Sequence, residues 1–233
     1  MPLPKIDTPI YETTLPSNGK KIKYRPFLVK EEKILLMAAE SADNKVILNS
    51  LEQVISNCVL EELEIRKMPS FDVEYLFLKL REKSIGEVIK VNVTDPEVKK
   101  KFEVDINLSK VTIKKNQKHE SLIKFGSDLA IQMKYPNVET ILLMDQSKTL
   151  MENGFSVLAS CIEKIYDKET VYDAKDYTQA EMQEFLDQFT QEMYEKLGKF
   201  FESMPSIYYE AEELSPYTNK KVKVVIDKFM DFF

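Results

Sequence analysis

Histidine and cysteine are scarce in this chain: His119 is the only histidine, and Cys58 and Cys161 are the only cysteines, among 233 residues. Metal sites built from nitrogen and sulfur ligands, and catalysis by a histidine-activated nucleophile, therefore have little to draw on. Cys58 and Cys161 stand among apolar neighbours (SNCVL and ASCIEKI), where a small thiol packs well, and they are expected as core thiols without a disulfide. His119 lies in a lysine-rich polar link with no cysteine nearby. Glycine is also sparse, at five residues, and no P-loop, GxGxxG or GxSxG pattern occurs. No stretch approaches the roughly 20 apolar residues of a membrane helix, and MPLPKIDTP lacks a secretory apolar core. The composition thus predicts no enzyme, no metal, no cofactor and no membrane insertion, in a chain made and kept in the cytoplasm.

The net charge of −6 argues against broad nucleic-acid binding, so no nucleic acid is expected. The charge is unevenly spread. Met1 to Lys33 carries seven basic and four acidic residues, Lys99 to Lys124 eight and three, and Glu152 to Glu213 five and fifteen. Such poles can steer docking to partners or to another copy. Glu181, Glu184 and Asp187 alternate with Phe185 and Phe189 in the manner of the wet face of a helix, not of a carboxylate pair converging on a cleft.

The organising stretch is Ser70 to Glu87. Phe71, Val73, Tyr75, Leu76, Phe77, Leu78 and Leu80 leave no helical face wholly polar, which predicts a central helix packed on several sides, with Asp72 and Glu74 in its positively polarised first turn. Ahead of it, Ile10 to Leu15 and Lys21 to Tyr24 flank an Asn18-Gly19 step that signals a hairpin. Two antiparallel helices should follow, Val29 to Glu40 with Ile34, Leu35, Ala38 and Ala39 inward, and one carrying Leu51, Val54, Ile55 and Cys58.

Behind the central helix the apolar period drops to two. Ile89, Val91 and Val93, then Phe102, Val104, Ile106 and Leu108, alternate with polar residues as half-buried strands do, and Ser121 to Phe125 with Leu129 to Tyr135 form another pair across Gly126. Asn137 then caps a short helix. Ser147 starts another, with Phe155, Leu158, Ile162 and Ile165 on one stripe. Thr178-Gln-Ala-Glu181 is a capping box opening a helix with the stripe Met182, Phe185, Leu186, Phe189, Met193, Leu197, Phe200, Phe201 and Met204, stopped by Pro205.

Ile207 to Ala211 and Lys221 to Ile226 read as a closing hairpin in which Glu210 and Glu212 face Lys221 and Lys223. The last residues hold Phe229, Met230, Phe232 and Phe233, which need cover from this chain or from another and are candidate partner contacts. The expected fold is α+β, a mainly helical body with an antiparallel β insert and terminal β-hairpins. In chain order the segments are 1–86 (hairpin and helical body), 87–135 (insert) and 136–233 (helices and terminal hairpin).

Several strings resemble one family across most of the chain: Tyr24-Arg-Pro-Phe-Leu-Val-Lys-Glu-Glu-Lys33, Phe71-Asp-Val-Glu-Tyr-Leu-Phe-Leu-Lys-Leu-Arg81 with Lys83-Ser-Ile-Gly-Glu87, Met133-Lys-Tyr-Pro136, and Phe200-Phe201 leading to Met204-Pro205. They are similar to the baseplate hub proteins of T4-like tailed phages. The resemblance implies a non-enzymatic structural subunit of the tail baseplate hub in the virion, or alternatively a hub assembly chaperone absent from the mature particle. It also implies other hub and tail proteins as partners and brings no catalytic motif. A homo-oligomer is left open.

Overall fold

The computed structural model describes residues 6–41, 43–144 and 149–227. The chain divides into two compact units, one of Met1–Ile65, Phe71–Lys114 and Ser206–Phe233, the other of Arg66–Ser70 and Lys115–Pro205.

The first unit holds a hairpin, β1 (Tyr11–Thr14) and β2 (Lys21–Tyr24), and three helices, α1 (Val29–Ser41), α2 (Asn44–Cys58) and α3 (Ser70–Ser84). A second hairpin follows, β3 (Val88–Thr94) with β4 (Lys101–Asn107); then β5 (Thr112–Lys114) joins the edge of a third, β10 (Ser206–Leu214) with β11 (Lys221–Ile226). As expected, α3 is apolar on several sides, and Phe71, Leu76, Phe77, Leu78 and Leu80 are buried. Strict alternation turns Phe102, Val104 and Ile106 of β4 and Val222, Val224 and Ile226 of β11 inward, and the two sets share one core with Leu78.

All three hairpins close with the same six-residue turn, whose second residue is proline and last is lysine: Leu15 to Lys20, Asp95 to Lys100 and Ser215 to Lys220. In each, the first N–H donates to the carbonyl of the lysine at 2.9–3.0 Å, and the fifth N–H donates back to the first carbonyl at 2.9–3.0 Å. Proline presets the helical φ at the second position. The fifth residue takes a positive φ, +72° at Gly19, +56° at Lys99 and +54° at Asn219. The hairpin signalled at Asn18-Gly19 forms, with Pro16 starting a six-residue turn in which Gly19 takes the left-handed position.

The second and third turns clasp each other. Asp95 is fully buried; it accepts from the N–H groups of Glu97 and Val98 at 2.8 and 3.2 Å, and from Thr218 Oγ1 at 3.0 Å. Tyr217 donates its hydroxyl to the Lys101 carbonyl at 2.9 Å, and Lys220 pairs with Glu97 at 2.7 Å. A bond from Ser215 is the largest influence on Asp95 and, with these partners, holds its pKa down at about 2.

In the second unit β6 (Leu122–Phe125), β7 (Leu129–Met133), β8 (Ile162–Tyr166) and β9 (Val171–Asp173) form an antiparallel sheet in that order. Between β7 and β8 the chain forms α4 (Val138–Leu142) and α5 (Leu150–Ser160); after β9 come α6 (Gln179–Leu186) and α7 (Gln191–Ser203). Ile131, Met133, Ile162 and Ile165 of the sheet share a core with Leu158, Met182, Leu186, Leu197 and Phe200 of the helices.

Two long helices expected from the sequence are shorter here. Thr149 caps α5, in a capping box with Glu152, and Ser147, the expected start, lies outside the described residues. Cys161 ends the helix, so Ile162 and Ile165 belong to a strand. Their helix-like spacing arises because Met133 pairs with Ile162 while Gln132 pairs with Lys164; the extra residue Glu163 turns both isoleucines to one face. The capping box at Thr178 forms as read, but Thr190 caps a new helix by accepting from the Met193 N–H, dividing the long stripe at Asp187–Thr190. The body is consequently mixed α+β and not mainly helical, with 40% of residues in helix and 28% in strand. The strands expected between Glu87 and Tyr135 are antiparallel, but β5 pairs with β10 and β7 with β8, so they do not make one sheet.

Asp95 has a depressed pKa, so its contribution to stability is complete above the ordinary carboxyl value of 3.8 and is lost as the pH falls towards about 2. Asp95→Asn should lower the melting temperature at pH 7, and the gap from wild type should shrink between about pH 4 and 2, as followed by circular dichroism.

Candidate docking surface

The entry to α1 is built by Tyr24-Arg25-Pro26-Phe27. Tyr24 and Phe27 are buried, and the Arg25 N–H donates to the Cys58 carbonyl at 2.9 Å, anchoring the segment on the end of α2. The Arg25 guanidinium donates to Glu31 Oε1 at 3.0 Å and to the Asn57 carbonyl at 2.9 Å. The second carboxylate oxygen of Glu31 accepts from the Leu28 N–H at 2.9 Å, satisfying a free donor at the helix start. Burial alone would raise the pKa of Glu31, which is wholly shielded from solvent, but the bonds from Arg25 and Leu28 and the nearby Lys30 hold it below the ordinary value. At the end of α3, Ser84 Oγ accepts from the Phe27 N–H at 2.8 Å, so two of the family-like strings meet here.

This lock determines which side of α1 faces inward. Glu31 and Ala38 are buried and Ile34 and Leu35 half-buried, whereas Ala39, expected inward, is exposed. On the opposite side Val29, Lys33, Leu36 and Glu40 form one row at helical spacing with Met37 beside it. Val29 is 66% exposed, Leu36 58% and Met37 71%. Such an apolar face on a short helix is the kind of surface another protein covers. Its sequence signal was present: seven apolar positions from Val29 to Ala39, more than one buried face accommodates.

His119, the two cysteines and Glu181 are engaged elsewhere. His119 packs in a triangle with the rings of Tyr135 and Phe200, 5.5 and 4.9 Å away between centroids, the other two being 5.6 Å apart. Its Nδ1 is 2.9 Å from Ser203 Oγ, whose own proton goes to the Lys199 carbonyl at 2.7 Å, and burial lowers the imidazole pKa. The Ser203 hydroxyl is thereby tied into the hydrogen bonds at the end of α7. Burial pushes the Cys58 and Cys161 thiols up to about 11, the behaviour of core thiols. Glu181 is spent on the Thr178 cap. Among the described residues, no group of three His, Cys, Asp or Glu is arranged to hold a metal ion, and no helix is long and apolar enough to cross a membrane. Phe229, Met230, Phe232 and Phe233 lie outside the described residues.

Fold and surface together define a mixed α+β protein whose prominent exposed feature is an apolar helix face suited to holding another protein. Residues 8–233 match the family described as T4 bacteriophage base plate protein, and the chain belongs to that family. No curated protein and no solved structure matches it.

Arg25→Ala leaves the Glu31 carboxylate buried without its main partner, and should lower the unfolding free energy by about 3 kcal/mol in a urea titration. The exposed Lys33→Ala should change it by less than about 0.5 kcal/mol.

Proposed function

We propose that this baseplate protein is a structural subunit of the baseplate hub in the virion tail, acting through contacts with other hub and tail proteins and without a catalytic step. The observation that carries the reading is the outward face of α1, where Val29, Leu36 and Met37 lie opposite the packed side of the helix. A subunit destined for a many-chain particle carries surfaces that are apolar until the particle covers them. The buried thiols and the aromatic packing of His119 support a role in assembly over one in chemistry. Phe229, Met230, Phe232 and Phe233 supply a second contact, since four large apolar side chains within five residues need cover.

Mass spectrometry of purified tails tests the reading. A hub subunit appears at fixed copy number in finished tails. Presence only in assembly intermediates from infected cells would instead identify an assembly chaperone and overturn the proposal. Deleting Met230 to Phe233 should leave the melting temperature of the isolated protein within about 2 °C of wild type, while incorporation into tails is lost.

A further inference from the structure

We propose that the outward face of α1 binds a second copy of this chain, α1 against α1 in antiparallel fashion about a two-fold axis between Leu36 and Met37. The inference rests on the reading of α1 as a docking face and adds its occupant. The argument is one of charge and spacing. Lys33 and Glu40 lie in the same row as Val29 and Leu36, seven residues apart, which is two helical turns or about 10 Å. They bracket the Leu36–Met37 step symmetrically, three positions before Leu36 and three after Met37.

In an antiparallel pair centred on that step, Lys33 of each copy meets Glu40 of the other, and Leu36 and Met37, on the two flanks of that line, each meet their own counterpart. Both charges find opposite partners, and two exposed apolar residues of each copy close over those of the other. A parallel pair would set Lys33 against Lys33 and Glu40 against Glu40, so the same charges select the antiparallel arrangement. Lys33 and Glu40 are both exposed, at the surface of the helix and clear of its packed side. One helix face is smaller than the roughly 800 Å² per partner of a standard interface, so the pair should be of micromolar strength and concentration-dependent.

Sedimentation velocity on the full chain over about 1 to 100 µM tests this. Wild type should pass from monomer to dimer across that range. Lys33→Glu and Glu40→Lys, each of which sets like charges together, should weaken the dimer by about tenfold or more, and the two combined should restore it to within about threefold of wild type. Circular dichroism confirms that each exposed-site variant is folded. A wild type that stays monomeric, single reversals without effect, or a double variant as weak as the singles would overturn the proposal. A monomeric wild type whose Met37→Asp variant is nonetheless lost from tails would assign the face to a different baseplate protein, refuting the second copy while keeping the docking role. If Met37→Asp is also incorporated normally, the docking role fails with it.

Discussion

A helix with apolar side chains on several faces cannot end at a single layer, and α3 imposes that requirement on the whole first unit. Its buried residues are covered on every side that carries them, and the polar groups among them fix which segments supply the cover. Near its start, Asp72 is fully buried and accepts from the backbone N–H and the hydroxyl of Ser17, drawing the tip of the first hairpin onto the helix. At its end, Ser84 takes the Phe27 N–H. In between, Leu78 enters the core shared by the second and third hairpins. A buried carboxylate is costly unless satisfied, and the N–H of Phe27 needs an acceptor, so the Asp72 and Ser84 contacts allow few alternatives to the observed arrangement.

The repeated hairpin turn shows how one backbone solution serves different ends. Proline second, a left-handed residue fifth and lysine last recur three times, and the first residue is buried each time, as Leu15, Asp95 and Ser215. What varies is the chemistry of the buried position and its neighbours. Leu15 is apolar and leaves Ser17 to bond Asp72, whereas Asp95 and the hydroxyls of the third turn complement one another. The lysines that close the turns keep the tips solvated, consistent with protected edges in a protein with several short sheets.

The outward face of α1 follows from the same economy of buried polar groups. Glu31 must face its partners Arg25 and the Leu28 N–H, and that requirement rotates the helix until Val29, Leu36 and Met37 look away from the unit. An apolar face positioned by a buried ion pair is set before any partner arrives, which reduces the ordering cost of binding. For a member of a baseplate family, a preset contact surface is a reasonable thing for the fold to deliver.

Local signals read correctly where the governing physics was local. The capping box at Thr178, the Asn137 cap, the alternation in β4 and β11 and the density of α3 were all legible, because each depends on residues within a few positions of one another. Lys221 and Lys223 meet Glu212 and Glu210 as the alternation implies. The bulge that makes Ile162 and Ile165 look helical was not legible, since it exists only when β8 pairs with β7. Nor was the fate of β5, which pairs with β10 more than ninety residues away. The same limit applied to α1. Its excess of apolar positions was visible in the sequence, but which of them would be left uncovered depended on Glu31 being buried against the half-buried Arg25, and burial is a property of the folded whole.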